Sequence, residues 1–165
     1  MISESYARLY DLEQIGLRFF TVYGPWGRPD MAYWIFAEKI LNGDPIRVFN
    51  NGALKRDFTY IDDIVTGVVA TVEKPFVPAG DAPHRLYNIG NNTPVDLMTF
   101  IGEIETALGI EAIKDFVPMQ PGDVETTYAD ITAISKDYGF RPTTPLSDGV
   151  PAFVDWFKAY RAAAS

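Results

Sequence analysis

Residues 16–30 read Gly-Leu-Arg-Phe-Phe-Thr-Val-Tyr-Gly-Pro-Trp-Gly-Arg-Pro-Asp, and the rest of the chain is best read outward from them. Residues 16–22 are rich in β-branched and aromatic side chains, the composition of a buried strand. Residues 23–30 then place two glycines and two prolines in a short span, which imposes an irregular loop. A rigid strand feeding a shaped loop is a common way to present functional side chains.

Ahead of this stretch, residues 3–12 have helical periodicity, with Tyr6, Leu9 and Tyr10 on one face. Behind it, residues 31–41 form a helix with Trp34, Ile35, Ile40 and Leu41 apolar, ended by Asn42-Gly43. Residues 46–49 are a short strand, Asn50-Asn51-Gly52 a turn, and residues 55–60 a second strand. Asp62 opens a helix to Lys74 with Ile64, Val65, Val68, Val69 and Val72 directed inward. A Pro/Gly/Ala loop over residues 75–84 precedes a strand at 86–90. A helix at 95–108, a strand at 112–117, a loop at 118–125, a short helix at 131–138 and a last helix at 146–162 complete the order. Strands and longer helices in this mixture indicate an α/β or α+β domain. No strand runs through a glycine-rich turn into a helix, so the pyrophosphate cradle of a dinucleotide site is missing from these residues.

Composition narrows the class. The chain has 165 residues, 47% of them apolar and 14% aromatic, enough for one domain with a real core and against disorder. Its formal net charge of -8 argues against a nucleic-acid binder, which needs a basic footprint. It leaves room for a small anionic ligand in a locally basic pocket. There is no cysteine, which removes thiolate chemistry and disulfides and fits a cytoplasmic protein. No apolar run is long enough to span a bilayer. Residues 1–10 lack the charged start and apolar centre of a signal peptide and read as a helix already under way.

Few residues carry chemistry on spacing alone. Arg18 and Arg28 flank the strand and its loop, and Arg28 sits in a Gly-Arg-Pro turn that restricts its backbone. It suits a fork donor to a carboxylate or phosphate, or a surface arginine paired with Asp30. Lys55-Arg56-Asp57 leads toward a helix opened by Asp62-Asp63. Arg56 could clamp phosphates with Asp57 orienting it, or the group could be a solvated charge cluster on a hairpin with Asp62 or Asp63 capping the helix. His84, the only histidine, has no nucleophile or second ligand beside it in sequence. No serine has a nucleophile-elbow context, and no carboxylate group forms a metal cluster. Asp123, after Pro121-Gly122, could accept hydrogen bonds from a sugar hydroxyl or cap a turn.

Four blocks taken together resemble one family: residues 16–30, residues 56–63 (RDFTYIDD), residues 86–91 (LYNIGN) and residues 120–130 (QPGDVETTYAD). With Tyr138-Gly139-Phe140-Arg141-Pro142 and the last helix, they are similar in order to the extended short-chain dehydrogenase/reductases, NAD-dependent epimerases and dehydratases of nucleotide sugars. Within these the likeness is greatest to UDP-glucuronate 4-epimerases. The resemblance implies a mixed α/β fold in which residues 1–165 are a single partial domain. The end of a Rossmann domain would interleave with a substrate-binding subdomain, without the NAD-binding N-terminal half. It implies no catalytic residue here, since no tyrosine is followed four positions later by lysine. It places Thr21, Arg28, Arg56, Gln120 and Asp123 against a UDP-sugar. Arg28 would face the sugar carboxylate, Arg56 the diphosphate, and Gln120 and Asp123 the nucleotide end. Many relatives carry an arginine near Gln120, and this chain does not. Phe20, Val22 and Tyr23 would border the nicotinamide of NAD. The partners implied are a UDP-sugar, an N-terminal Rossmann half and further copies of the chain, through sheet edges and apolar faces left uncovered. Neither nucleic acid nor a membrane is implied. A free-standing UDP-sugar binding module and an inert interaction fragment remain as alternatives.

Overall fold

The computed structural model describes residues 2–78 and 80–164; Met1, Ala79 and Ser165 lie outside the described residues, so the expected 75–84 loop is described except at Ala79. Helix α1 covers Ile2–Tyr10, and strands β1 and β2 cover Gln14–Phe19 and Thr21–Tyr23. Helix α2 (Ala32–Asn42) and strand β3 (Ile46–Phe49) lead through a tight turn at Asn50–Gly52 into β4 (Lys55–Tyr60). Then come α3 (Ile61–Glu73), β5 (His84–Ile89), β6 (Pro94–Asp96), α4 (Leu97–Leu108), β7 (Lys114–Val117), α5 (Thr132–Tyr138) and α6 (Leu146–Ala164). The class is the mixed α/β expected. No helix among the described residues is long and apolar enough to cross a membrane.

The strands form three small sheets. β1 pairs parallel with β5, from Gln14 opposite His84 to Phe19 opposite Ile89. β4 lies between β2, which is parallel to it, and β6, which is antiparallel. β3 pairs parallel with β7. The single strand expected over residues 16–22 is therefore two. Phe20 still donates its N–H to Ile89 O at 3.0 Å, and from Thr21 onward the chain pairs with β4 instead. An unbroken apolar run hides such a change, because pairing is set by residues far along the chain. For the same reason β3 and β4 do not form a hairpin across Asn50–Gly52, although Asn50 and Asn51 take the left-handed backbone that a tight turn needs. The start of the helix expected at 95 is strand β6, and helix α4 begins only at Leu97.

Two apolar centres hold these pieces. In the larger, Tyr33, Phe36 and Ile40 of α2 meet Phe100, Ile101 and Ile104 of α4 and Val150, Phe153 and Phe157 of α6. Phe58 of β4 stacks on Phe100 with ring centroids 3.8 Å apart. In the smaller, Tyr87 and Ile89 of β5 meet Ile64 of α3 and Ile134 and Tyr138 of α5. The five residues expected inward on α3 do not share one fate. Ile64 is buried, whereas Val65, Val69 and Val72 are 48%, 42% and 79% exposed. The packed face is marked instead by Gly67, where an added Cβ would lie 2.6 Å from Ile89 Cδ1, so the helix sits close on the sheet. Apolar side chains are also exposed at the β1–β5 sheet, at Phe19 and Leu86, and along α1 at Ile2, Tyr6, Leu9 and Tyr10.

Polar ties join segments distant in sequence. The buried Asp57 carboxylate accepts the backbone N–H of Asn91 at 2.6 Å, Asn92 at 2.9 Å and Ala129 at 2.7 Å, together with the Thr59 hydroxyl at 3.2 Å. Neither Asp62 nor Asp63 makes the capping hydrogen bond considered above. The N-cap of α3 is Tyr60, without a side-chain cap bond, and Asp63 reaches across to the Thr144 N–H at 2.9 Å and the Thr143 hydroxyl at 3.4 Å. On β5, Arg85 donates to Asp137 of α5 at 2.6 Å and to the Tyr87 hydroxyl at 3.0 Å, and Tyr87 donates to Asp137 at 2.8 Å. His84 meets the Ser3 hydroxyl at 3.0 Å, which ties α1 to β5.

Replacing Asp57 by asparagine turns one acceptor into an NH₂ group facing backbone donors. Asp57→Asn is expected to cost about 1–3 kcal/mol, the penalty of an unsatisfied buried group, measured by urea unfolding with the slope unchanged. The hydrogen bonds from Arg85 and then Tyr87 hold the Asp137 carboxyl below its ordinary value of 3.8. The stability it adds is present above that value and lost as pH falls through the depressed one. Asp137→Asn is therefore expected to be less stable than the parent at pH 7, with the gap narrowing below about pH 3.8 in unfolding curves across pH.

Candidate functional site

The loop after β2 takes its shape from close contacts. At Gly27 an added Cβ would fall 1.5 Å from the Tyr33 hydroxyl, so only glycine lets the loop lie against α2. Gly24 has φ 140°, a backbone that side chains rarely adopt. These two residues set the turn that carries Arg28. Its Nε donates to Asp30 Oδ1 at 3.0 Å and its Nη2 to Asp30 Oδ2 at 2.8 Å, a two-point carboxylate grip at the surface. The pairing with Asp30 weighed in the sequence is thus present.

Arg56 lies on β4 and is held more tightly. Its Nη1 donates to Lys55 O at 2.8 Å and Glu125 O at 3.2 Å, and its Nη2 donates to Asp123 Oδ1 at 2.7 Å. Asp123 also accepts its neighbour Val124 N–H at 2.8 Å. The carboxylate that orients Arg56 is therefore Asp123, not Asp57 as one of the two readings of the Lys55-Arg56-Asp57 run has it. Asp57 spends its oxygens on backbone N–H groups and the Thr59 hydroxyl. Sequence adjacency misleads here because neighbours on a strand point to opposite faces.

Three cavities run side by side from one arginine to the other. The first, of about 330 Å³, is lined by Phe20, Val22, Tyr23, Trp26 and Arg28 among others. The second, of about 360 Å³, is lined by Phe19, Phe20, Thr21, Met31, Arg56 and Thr127. The third, of about 230 Å³, contains Thr21, Arg47, Phe49, Arg56 and Asp123. Met31 borders all three and links them into one trough. The trough gathers Thr21, Arg28, Arg56, Asp123, Phe20, Val22 and Tyr23. Gln120 lines none of these cavities and is exposed, its carbonyl accepting the Asp123 N–H at 3.2 Å. Met31, Arg47, Phe49 and Thr127 escaped sequence reading. Met31 had registered only as the start of a helix, and Arg47 only as one residue of a short strand.

Tyr23 is a wall rather than an acid or base. It is 1% exposed, and its hydroxyl has no hydrogen-bond partner among the described residues. Burial first, then the negative charge of Tyr60 and Asp63 when ionised, pushes its hydroxyl far above the ordinary value of 10.0, so it stays neutral. Burial also raises Tyr33 and Tyr60. No group of three or more His, Asp or Glu side chains among the described residues could hold a metal ion. The trough therefore offers binding chemistry: an apolar wall, a carboxylate grip and an anchored guanidinium.

Residues 1–90 match the model of the NAD dependent epimerase/dehydratase family. Protein CapI of Staphylococcus aureus is 47% identical over 172 aligned positions, covering 97% of this chain and 52% of its own length. A probable UDP-glucuronate 4-epimerase of Rhizobium meliloti is 41% identical, covering 99% of this chain and 52% of its own length. Among solved structures, UDP-glucuronic acid 4-epimerase from Bacillus cereus, in complex with UDP-glucuronic acid and NAD, superposes with a TM-score of 0.86 at 36% identity, over 94% of this chain and 48% of that one. The chain spans about half the length of the curated relatives it matches. The fold is the corresponding part of the extended epimerase fold, with a fraction of its parallel sheet, as the sequence resemblance implied. Family model, relatives and structural likeness agree that this chain belongs to the NAD dependent epimerase/dehydratase family.

Proposed function

We propose that residues 1–165 are the nucleotide-sugar-binding part of an NAD-dependent UDP-glucuronate 4-epimerase, a partial domain completed by an NAD-binding Rossmann half. The observation that carries this reading is the trough, which brings together every candidate residue except Gln120. In the parent reaction a hydride leaves the sugar C4, the keto-sugar turns over, and the hydride returns to the other face. NAD, when bound, accepts and returns that hydride.

The residues of this chain bind and orient. Asp30 already occupies the Arg28 fork as a substrate carboxylate would, so the uronate replaces one carboxylate by another. Arg56 has three of the five N–H donors of a guanidinium committed to Lys55, Glu125 and Asp123, which leaves donors for a diphosphate on a side chain already held in place. Thr21 shares two cavities with Arg56, and the sugar would lie beside it. Phe20, Val22 and Tyr23 form an apolar wall of the kind a nicotinamide ring requires. They fit that end of NAD only, since no described strand opens through a glycine-rich turn into a helix. Gln120 has no part in this reading, and the nucleotide end falls to Arg56 and Asp123.

The exposed apolar faces of α1, α3 and the β1–β5 sheet support a Rossmann half as the partner, because parallel strands are ordinarily covered on both faces. A non-catalytic UDP-sugar module is the second reading. Arg56 favours it, because its anchoring needs nothing beyond this chain.

In a calorimetric titration, UDP-glucuronate is expected to bind this chain, and Arg56→Ala to weaken binding at least about tenfold, the loss of one charged hydrogen bond. No binding at millimolar ligand would remove both the free-standing module and this chain as a sufficient nucleotide-sugar site. Alone, the chain is expected to scatter light as an oligomer and to bind a hydrophobic dye, and to lose both behaviours when a relative's Rossmann half is supplied. A monomer without dye binding would show that its apolar faces need no cover.

A further inference from the structure

The third cavity holds a cation that the sequence motifs do not single out. Arg47 stands on β3, which pairs with β7 away from the RDFTYIDD block. Its guanidinium carbon lies 5.5 Å from the centroid of the Phe49 ring, and it has no ion pair or hydrogen bond among the described residues. Of the charges around it, Asp115 is its in-register neighbour on β7 and makes no ion pair with it, while three others are committed. Asp30 is gripped by Arg28, Asp123 by Arg56, and the Lys39 ammonium donates to Pro45 O at 3.2 Å. In a chain of net charge -8, an unpaired guanidinium lining a cavity shared with a second arginine provides a local attraction for an anion.

Apart from Thr21 and Asp123, the remaining walls of that cavity are apolar, including Phe36, Leu54, Phe58 and Leu97. A ligand that satisfies both kinds of surface is a planar ring joined to a charged phosphate group. We propose that Arg47, in the cavity it shares with Arg56, is a second phosphate-contacting residue of the nucleotide diphosphate, and that it sets the preference of this site for the charged diphosphate over the bare nucleoside. This rests on the nucleotide-sugar reading above and adds to it a residue and a selectivity. The two arginines differ in kind. Arg56 is pre-positioned by Asp123 and two carbonyls, so its contact is directional. Arg47 is braced only by the Phe49 face, so it acts chiefly through charge and is the more sensitive to salt.

The test is calorimetric titration of the parent chain, Arg47→Gln, Arg47→Lys and Arg56→Gln with UDP, uridine and inorganic pyrophosphate at two salt concentrations. Arg47→Gln is expected to weaken UDP and pyrophosphate about tenfold, to leave uridine unchanged, and to flatten the salt dependence, with Arg47→Lys recovering most of the loss. If Arg47→Gln binds UDP as the parent does while Arg56→Gln does not, the Arg47 contact is wrong and the nucleotide-sugar reading stands. An equal loss of uridine and UDP would make Arg47 a shape element of the cavity and overturn the charge role. If the parent chain binds neither UDP nor pyrophosphate, this inference falls together with the reading beneath it.

Discussion

The Asp57 carboxylate is the constraint on which the rest of the site depends. A buried anion in a protein interior has to be met by donors, and here the donors are the backbone N–H groups of Asn91, Asn92 and Ala129 with the Thr59 hydroxyl. These groups come from β4, from the bend after β5, and from the segment that follows the 118–125 loop. A single side chain thus sets how three stretches meet. Gly90, beside the bend, has no room for a Cβ, which would sit 2.6 Å from Ala129 Cβ. Carboxylate and glycine, together with the backbone hydrogen bonds of Lys55 to Glu125 and Thr127, hold the segment bearing Asp123 and Thr127 on β4. Without that approach Arg56 would lose both Asp123 and Glu125 O, and the middle of the trough would open.

The same logic explains why the RDFTYIDD block has an effect out of proportion to its length. Alternation along β4 sends Arg56 toward the cavity and Asp57 into the interior. At the start of α3, Asp63 turns inward to the Thr143 hydroxyl and the Thr144 N–H and ties the last helix to the same frame. Two acidic residues that look like surface charge are structural staples, and Arg56, just ahead of them, lines the trough.

The trough concentrates cationic groups in an acidic protein. Arg28, Arg47 and Arg56 line its cavities, and carboxylates hold two of the three. Carboxylates holding two of the guanidinium groups lower the cost of keeping those side chains ordered. The apolar faces of α1, α3 and the β1–β5 sheet belong to a different problem, the covering of a parallel pair that in the matching relatives is part of a chain about twice as long.

Class, most element positions and the family were legible in the linear sequence, because hydrophobic periodicity, Gly and Pro punctuation and short motifs are local properties. The 16–30 stretch announced a strand and a shaped loop, and α2, β3, β4 and α6 fell close to their expected places. Thr21, Arg28, Arg56 and Asp123, which the motifs single out, all line the trough. Other features had no local signal. The break at Phe20 between two sheets, the exposure of Val65, Val69 and Val72, the exchange of Asp57 for Asp123 as the partner of Arg56, and the presence of Met31 and Arg47 at the cavities all depend on contacts between residues distant along the chain. Sequence determines which side chains are available and which faces they share on their own element. Only the tertiary structure decides which of those faces meet, because strand pairing and buried polar ties are settled by partners that local pattern does not name.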